Sequence, residues 1–309
     1  MSRSTASNPP TLDLVFWPGS VRNLPFEDHV AAAAAGGFSS MAIAPDFVKE
    51  AATRGKTIQD LVFMAEDAGV PIRHLDTITD WAPVRYPAWL EGQLLDRFDV
   101  SVEEGLAMAQ ALGVETILAF PGFDMSEAAP LDVLADGFGR LVDRAADIGA
   151  AVQLEFAPML GVPNLASAWD IVRESGRPGA GLMVDVWHFF KGGLDLALLK
   201  SIPAQHLWSV QVSDGWVEAR GDSLLDDGFY HRAFPGQGEL PIVQVLEIVA
   251  DKGNLRMVGP ETFSTEADNL GASDAGIRDG DGTRAVLASA GLLNRLGLTS
   301  NLSTWPKGA

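Results

Sequence analysis

Four polar residues in the second half of the chain each close an otherwise apolar run: Glu155 in AVQLEF, Asp185 in GLMVD, Gln211 in WSVQVSD and Glu261 in MVGPE. Their separations are 30, 26 and 50 residues. The first two intervals match one β/α repeat each, and the third matches a repeat plus a long loop from Asp214 to Leu240. On four consecutive parallel strands of a barrel they would stand at similar height, because functional groups project from C-terminal strand ends. Three carboxylates cannot share a low-dielectric site as bare anions, since desolvation and mutual repulsion both oppose it. A cation resolves this. Two Glu, one Asp and a Gln carbonyl form an oxygen-only donor set, which suits a hard divalent ion such as Mn²⁺ or Mg²⁺. The plainer reading of any single one is a cap or an ion-pair partner.

The elements that must position these residues are legible as short β-branched runs alternating with helix-period segments, punctuated by Gly and Pro. Strands are expected at Leu12–Phe16, Ser40–Ala44, Ile72–Ile78, Thr116–Phe120, Val152–Phe156, Gly181–Val186, Trp208–Val212 and Met257–Glu261. Between them, Leu134, Phe138, Leu141 and Val142 mark a helix ending at Gly149. Asn164 can cap a helix carrying Leu165, Ala168, Trp169 and Val172. Pro241 begins another, with Ile242, Val245, Leu246 and Val249 on one face. Strict alternation of eight strands with helices makes the fold class α/β, a single-domain (β/α)8 TIM barrel, with a doubly wound open sheet as the alternative. The barrel is expected over 12–297, between a disordered N-terminal tail at 1–11 and a C-terminal tail at 298–309. The Gly- and Asp-rich stretch Thr265 to Gly282 reads as a loop capping one face, its Asp279-Gly280-Asp281-Gly282 as a solvated turn. His29 and His206 read as surface residues.

Composition narrows the function classes. The 309 residues hold 22 Lys plus Arg against 41 Asp plus Glu, a formal charge of −19. So acidic a surface repels phosphate backbones and anionic lipid, so neither a nucleic-acid nor a membrane partner is expected. With no cysteine, disulfides, thiolate metal sites and cysteine nucleophiles are excluded. The opening MSRSTASNPPT has no apolar signal-peptide core, and no run reaches the 18 or so apolar residues of a spanning helix, so a cytoplasmic protein is expected.

The motifs LEFAP, MVDVWHFFKGG, VQVSDG, HRAFPGQGEL and GPETFS carry a resemblance. The chain, over roughly Leu12 to Gly297, resembles the xylose-isomerase-like barrels of the sugar phosphate isomerase/epimerase family. That group includes ketose 3-epimerases, hydroxypyruvate isomerases, inosose isomerases and dehydratases, and 3-dehydroshikimate dehydratases. The resemblance implies one divalent metal held through Glu, Asp, His and Glu at the ends of strands five to eight. Those positions fall on Glu155, Asp185, Gln211 and Glu261. Gln211 departs from the pattern, where His is commoner; a neutral amide oxygen disfavours zinc or nickel and favours Mn²⁺ or Mg²⁺.

The same resemblance implies that His188, three residues beyond Asp185, faces substrate oxygens. It also implies that His231 and Arg232 lie on a loop covering the pocket, Arg232 reaching a substrate oxygen or anion. His74, Asp76, Asp46 and Trp17 are further candidates for the barrel mouth, and Trp81, Trp89 and Trp216 for an apolar wall. The expected activity is that of a metal-dependent isomerase or epimerase on a small carbohydrate-like substrate, a sugar or keto-polyol. Glu155 and Glu261 would exchange the proton next to a carbonyl through an enediolate, with His188 assisting. Two alternatives stay open: a lyase or dehydratase on a related keto-sugar, keto-inositol or dehydroshikimate-like substrate, and a non-catalytic binding or subunit barrel. Homo-oligomerisation is left open.

Overall fold

Each of the eight β-branched runs forms a short strand: β1 Asp13–Phe16, β2 Ser40–Ile43, β3 Ile72–Ile78, β4 Thr116–Ala119, β5 Ala151–Leu154, β6 Ala180–Asp185, β7 Leu207–Gln211 and β8 Met257–Gly259. The computed structural model describes residues 11–82, 86–89, 95, 98–127 and 129–295. The tails expected at the two ends fall, but for residue 11, outside the described residues. Strands pair in parallel in sequence order, and β1 closes on β8 through Asp13 opposite Met257 and Leu14 opposite Val258. The result is a closed (β/α)8 barrel. The expected strands are all present, β3 with the same bounds and the others with ends moved by at most two residues.

The helices are α1 Phe26–Ala35, α2 Pro45–Thr53, α3 Ile58–Asp67, α4 Val102–Leu112, α5 Leu131–Asp147, α6 Leu165–Ser175, α7 Val186–Lys191, α8 Leu196–Ser201, α9 Leu224–Tyr230, α10 Ile242–Asp251, α11 Thr265–Asp268 and α12 Ala272–Ser289. Asn164 caps α6 in a reciprocal pair with Ser167, so two orphan donors of the first turn are satisfied. The strands are buried on both faces, as parallel strands between helices must be. One face meets the helices. The other lines the barrel, where Val15, Trp17, Ala42, Leu118, Met183, Trp208 and Met257 form an inner cluster. Among the described residues, no helix is long and apolar enough to cross a membrane.

The Gly- and Asp-rich stretch is where the structure departs from the sequence reading. It forms α11 and most of α12, not a loop. Its glycines serve close approach: a Cβ at Gly276 would lie 2.0 Å from the Ala32 carbonyl oxygen of α1, and one at Gly280 2.1 Å from that of Gly36. Small residues one turn apart let the last helix pack against the first and close the outer ring. This face carries no apolar periodicity, so it reads as a loop in the sequence. Asp279, expected in a solvated turn, is fully buried. His29 is also buried rather than superficial, its ring edge-on to Phe47.

Candidate active site

Register sets the centre of the site. Asp185 pairs with Gln211 across β6 and β7, and Gln211 with Gly259 across β7 and β8, so three adjacent strands end side by side. Glu155 follows β5 by one residue, and its N–H still donates to the Ala119 carbonyl of β4. Glu261 follows β8 by two residues. Beside it, Gly19 leaves space, because a Cβ there would lie 2.6 Å from the Glu261 Cγ. Glu155, Asp185 and Glu261, all buried, each offer a carboxylate oxygen within 4.8 Å of the others.

Gln211 lies in register beside Asp185, fully buried, and neither Oε1 nor Nε2 has a hydrogen-bond partner. Glu155 Oε1 likewise accepts no hydrogen bond. Buried polar atoms of native proteins are nearly always satisfied, and orphaned ones point to a missing ion or ligand. Burial, and then the neighbouring charges of Glu261, Asp185 and Asp76, push the Glu155 carboxyl well above its ordinary value. This donor set fits a divalent cation.

Asp185 does two jobs. Its Oδ1 caps α7 by accepting from the His188 N–H at 2.7 Å. Its Oδ2 accepts from Ser213 Oγ at 2.5 Å and from Arg232 Nη1 at 3.2 Å. Arg232 is itself buried; its Nε donates to the Gly228 carbonyl, and its guanidinium lies 4.8 Å from the Trp187 ring centre and 4.9 Å from that of Phe263. Its Nη2 faces His188 Nε2 at 3.3 Å. An arginine only donates, so His188 Nε2 must accept and its Nδ1 must carry the proton, a tautomer assigned from the network. Burial drives the His188 pKa down to about 3, against the opposing pull of Asp185. The imidazole is neutral.

The cavity above these groups has a volume of about 70 Å³ and is lined by Glu155, Glu261, His188, Arg232 and Asp76 at its polar end. Trp89, Phe98, Phe120, Phe229 and Phe263 contribute apolar walls. Helix α9, from the long β7–β8 connection, forms part of the cover. It is pinned to α7 by a buried ion pair, Lys191 Nζ to Asp227 Oδ2 at 2.8 Å, which keeps the Gly228 carbonyl on Arg232. A larger open groove of about 960 Å³ lies beside α2. Its cations are paired within it, Arg22 with Asp268, Lys49 with the Asp99 carbonyl and Arg54 with Glu50, and it holds none of the converging carboxylates.

Of the residues expected at the site, the structure brings together Glu155, Asp185, Gln211, Glu261, His188 and Arg232. It does not bring His231. That residue bridges Ser264 and its ring lies 3.6 Å from Asp226, a third exposed and off the cavity lining. His231 is the C-cap of α9, with its ring turned back towards Asp226 of that helix rather than into the cavity. Asp76 and Trp89 line the cavity, whereas Asp46 lies in the larger groove. Trp17 and His74 stack inside the barrel at 5.9 Å. Trp81 is buried, donating to the Phe120 carbonyl, and Trp216 lies under the Arg220 guanidinium. Ser213 and the Lys191–Asp227 pair went unread in the sequence. The serine sits in the VQVSDG motif, but the pairing of residues 36 positions apart has no local signal.

Comparisons with known proteins agree with this fold. Residues 30–281 match the family model described as xylose isomerase-like TIM barrel. A Streptomyces coelicolor protein provisionally named as a hydroxypyruvate isomerase is 27% identical over 252 residues, 77% of this chain and 85% of that protein. The 3-dehydroshikimate dehydratase of Pseudomonas putida is 24% identical over 228 residues, 72% of this chain but only 34% of that protein. The inosose isomerase of Bacillus subtilis is 26% identical over 171 residues, 54% of this chain and 60% of that protein. Among solved structures, the IOLI protein with a binding zinc atom superposes with a TM-score of 0.76 at 19% identity, covering 90% of this chain and 99% of that one. L-ribulose 3-epimerase does so with a TM-score of 0.64 at 15% identity, covering 92% and 95%.

Proposed function

The chain belongs to the xylose isomerase-like TIM barrel family, and on that premise we propose that it is a divalent-metal-dependent isomerase or epimerase. Its substrate is a sugar or keto-polyol, and its reaction exchanges a proton next to a carbonyl. One observation carries the reading: three buried carboxylates converge within 4.8 Å beside a buried amide without partners. Counting charge supports a divalent ion, since Arg232 offsets one of the three anions and two remain.

Glu155, Asp185, Gln211 and Glu261 would hold the ion, and Gln211 would offer Oε1. When bound, the ion supplies electrophilic stabilisation of the negative charge that develops on the substrate oxygens. The oxygen-only donors favour Mn²⁺ or Mg²⁺, although the solved structural neighbour carries zinc.

The chain's own groups do the proton work. Glu155 leaves β5 and Glu261 leaves β8, with two strands between them, so their carboxylates reach the substrate from two sides. One removes the proton from the carbon next to the carbonyl. The other, already protonated, gives its own proton to the opposite face, yielding the epimer, or to the neighbouring carbon, yielding the isomer. A positioned base contributes about 10²- to 10⁴-fold. Neutral His188 donates from Nδ1 to a substrate oxygen, its ring held by Arg232. The relative that is a 3-dehydroshikimate dehydratase favours a second outcome. After the same proton removal, a hydroxyl on the next carbon takes a proton from His188 or from the carboxyl that has gained one, and departs as water.

The test is metal analysis with deuterium exchange. The protein should bind about one equivalent of Mn²⁺, and a keto-sugar or keto-inositol in D₂O should gain deuterium at one carbon next to the carbonyl. Both should be lost in Glu155→Gln. Exchange at the wild-type rate in Glu155→Gln or in metal-stripped protein removes this reading.

A further inference from the structure

Arg232 reaches Asp185 and His188 from a long connection. Leu240 follows Asp214 by 26 positions, and the chain between them carries α9 but no strand of the barrel. Ordering each residue of such a segment costs backbone entropy, so it needs ties of its own. Both its ends meet at one carboxylate. Asp214 is buried, and its Oδ1 accepts from the N–H groups of Gly215 at 2.8 Å and Leu240 at 3.1 Å. Its Oδ2 accepts from those of Gly236 at 2.9 Å and Gly238 at 3.0 Å. The glycines suit this role. Gly236 has a φ of +81°, in the left-handed region, and a Cβ at Gly238 would lie 2.4 Å from Asp214 Oδ1. Two motifs distant in the sequence, VQVSDG and HRAFPGQGEL, close on each other here as a clasp.

Arg232 lies inside the clasp. On one side the Asp214–Ala233 bridge ties its segment to the chain leaving β7, the Ala233 N–H donating to the Asp214 carbonyl at 3.0 Å. On the other side the His231–Ser264 bridge ties it to the chain leaving β8, and the Arg232 N–H donates to the Phe263 carbonyl at 3.1 Å. Arg232 is therefore the middle residue of a short antiparallel segment. Its guanidinium extends from there to Asp185 Oδ2 at 3.2 Å and His188 Nε2 at 3.3 Å. Hydrogen bonds of that length do not survive a backbone shift of about 1 Å.

We propose that Asp214 is a positioning residue: its carboxylate clasps the β7–β8 connection and thereby holds the Arg232 guanidinium against Asp185 and His188. The catalytic consequence rests on the reading of this cavity as an active site, whereas the clasp itself does not. A hydrogen bond to a charged acceptor is worth about tenfold or more in an opening equilibrium, and four of them share this one group. Asp214→Asn keeps the shape but replaces one acceptor oxygen by an amide nitrogen that only donates. Whichever way the amide turns, that nitrogen faces two backbone N–H groups.

The experiment reads Arg232 directly. Phenylglyoxal labels accessible guanidinium groups, and peptide mass spectrometry assigns each label to its arginine. In the folded wild-type chain Arg232 should be labelled slowly, because it is buried. In Asp214→Asn its labelling should be at least about tenfold faster, while the exposed Arg54 and Arg140 react as before. Labelling of Arg232 at the wild-type rate in the folded variant overturns the proposal. If the variant does not fold, native-state hydrogen exchange of the wild type decides. As urea is added below the unfolding transition, the N–H groups of Arg232, Ala233, Gly236, Gly238 and Leu240 should open together, before those of the barrel strands. Arg232 and Ala233 still protected after the other three have exchanged would show that the clasp does not hold the arginine.

Activity supplies the readout that a merely structural role would not move. In kcat/KM for deuterium exchange by the Mn²⁺-loaded full chain, Asp214→Asn should lose at least about tenfold. Added to Arg232→Lys it should lose nothing further, since a residue that acts through Arg232 has no separate effect once Arg232 is changed. Losses that multiply overturn the proposal. If the wild type exchanges no deuterium with any ketose or keto-inositol, the isomerase reading fails separately, and the labelling alone decides the clasp.

Discussion

Thr262 Oγ1 donates a 2.7 Å hydrogen bond to Asp279 Oδ1, joining the loop that carries Glu261 to a fully buried carboxylate on the last helix. The Thr262 N–H donates in turn to Ser20 Oγ at 3.1 Å, so the residue after Glu261 is held from two sides. Because Glu261 lies beyond the β8 ladder, these bonds replace the sheet in fixing it. Thr262→Val keeps the volume and loses the tie. It should weaken Mn²⁺ binding about tenfold by calorimetry while the melting temperature falls only slightly. Asp279→Asn retains an acceptor and should bind Mn²⁺ as the wild type does.

The same aspartate predicts a pH dependence. Burial outweighs the hydrogen bonds from Ser20 and Thr262 and lifts its pKa from 3.8 to about 7. With the folded value raised, Asp279 contributes stability that is complete below pH 3.8 and lost as pH rises through about 7. Urea unfolding of wild type against Asp279→Asn should show a difference that changes over that window in favour of the variant. A constant difference from pH 4 to pH 8 would contradict the assignment.

Glu155→Gln separates folding from chemistry. The substitution removes one of three clustered buried anions without changing shape, so the metal-free protein should melt at least about 2 °C higher at pH 7.5. Added Mn²⁺, which should raise the wild-type melting temperature through preferential binding to the folded state, should shift this variant little. Deuterium exchange should fall by at least about 10²-fold. A lower melting temperature without metal would show that the carboxylates do not strain the fold.

These residues also show what a single sequence reveals. Glu155, Asp185, Gln211 and Glu261 were legible because each breaks an apolar run at repeat spacing, a one-dimensional mark of a strand end facing the barrel mouth. Arg232 was legible by family resemblance, but its partners were not. Its bonds to Gly228, Asp185 and His188 depend on how α9 folds back over α7. Helix α12 was misread because its buried face is Gly and Ala packed on α1, a contact that leaves no hydrophobic period. The Thr262–Asp279 bond joins residues from two elements, and neither residue type announces a partner.

Gln211→His tests the donor set. The amide oxygen is neutral and hard, whereas an imidazole nitrogen is a stronger donor to later transition metals. The variant should bind Zn²⁺ or Co²⁺ at least about tenfold more tightly relative to Mn²⁺, read by competition calorimetry. Because the Gln211 side chain makes no hydrogen bonds, the exchange breaks none. A metal preference identical to wild type would place Gln211 outside the coordination sphere.

At the opposite end of the barrel, Asp13 predicts the acid limit of the fold. Burial would raise its pKa, but hydrogen bonds from His74, Ser39 and Ser40, with the nearby His74 charge, bring it down from 3.8 to about 2. Asp13 is largely buried, and Ser40 Oγ donates to its Oδ2 at 2.8 Å. A depressed carboxylate contributes stability that is complete above the unfolded value of 3.8 and lost as pH falls through about 2. The shift corresponds to about 2 kcal/mol at neutral pH. Asp13→Asn should therefore be less stable than wild type by about that amount at pH 7. The gap should close between pH 3.8 and pH 2, as followed by urea unfolding. A gap that persists unchanged down to pH 2 would mean that the serines and His74 hold Asp13 by shape rather than by charge.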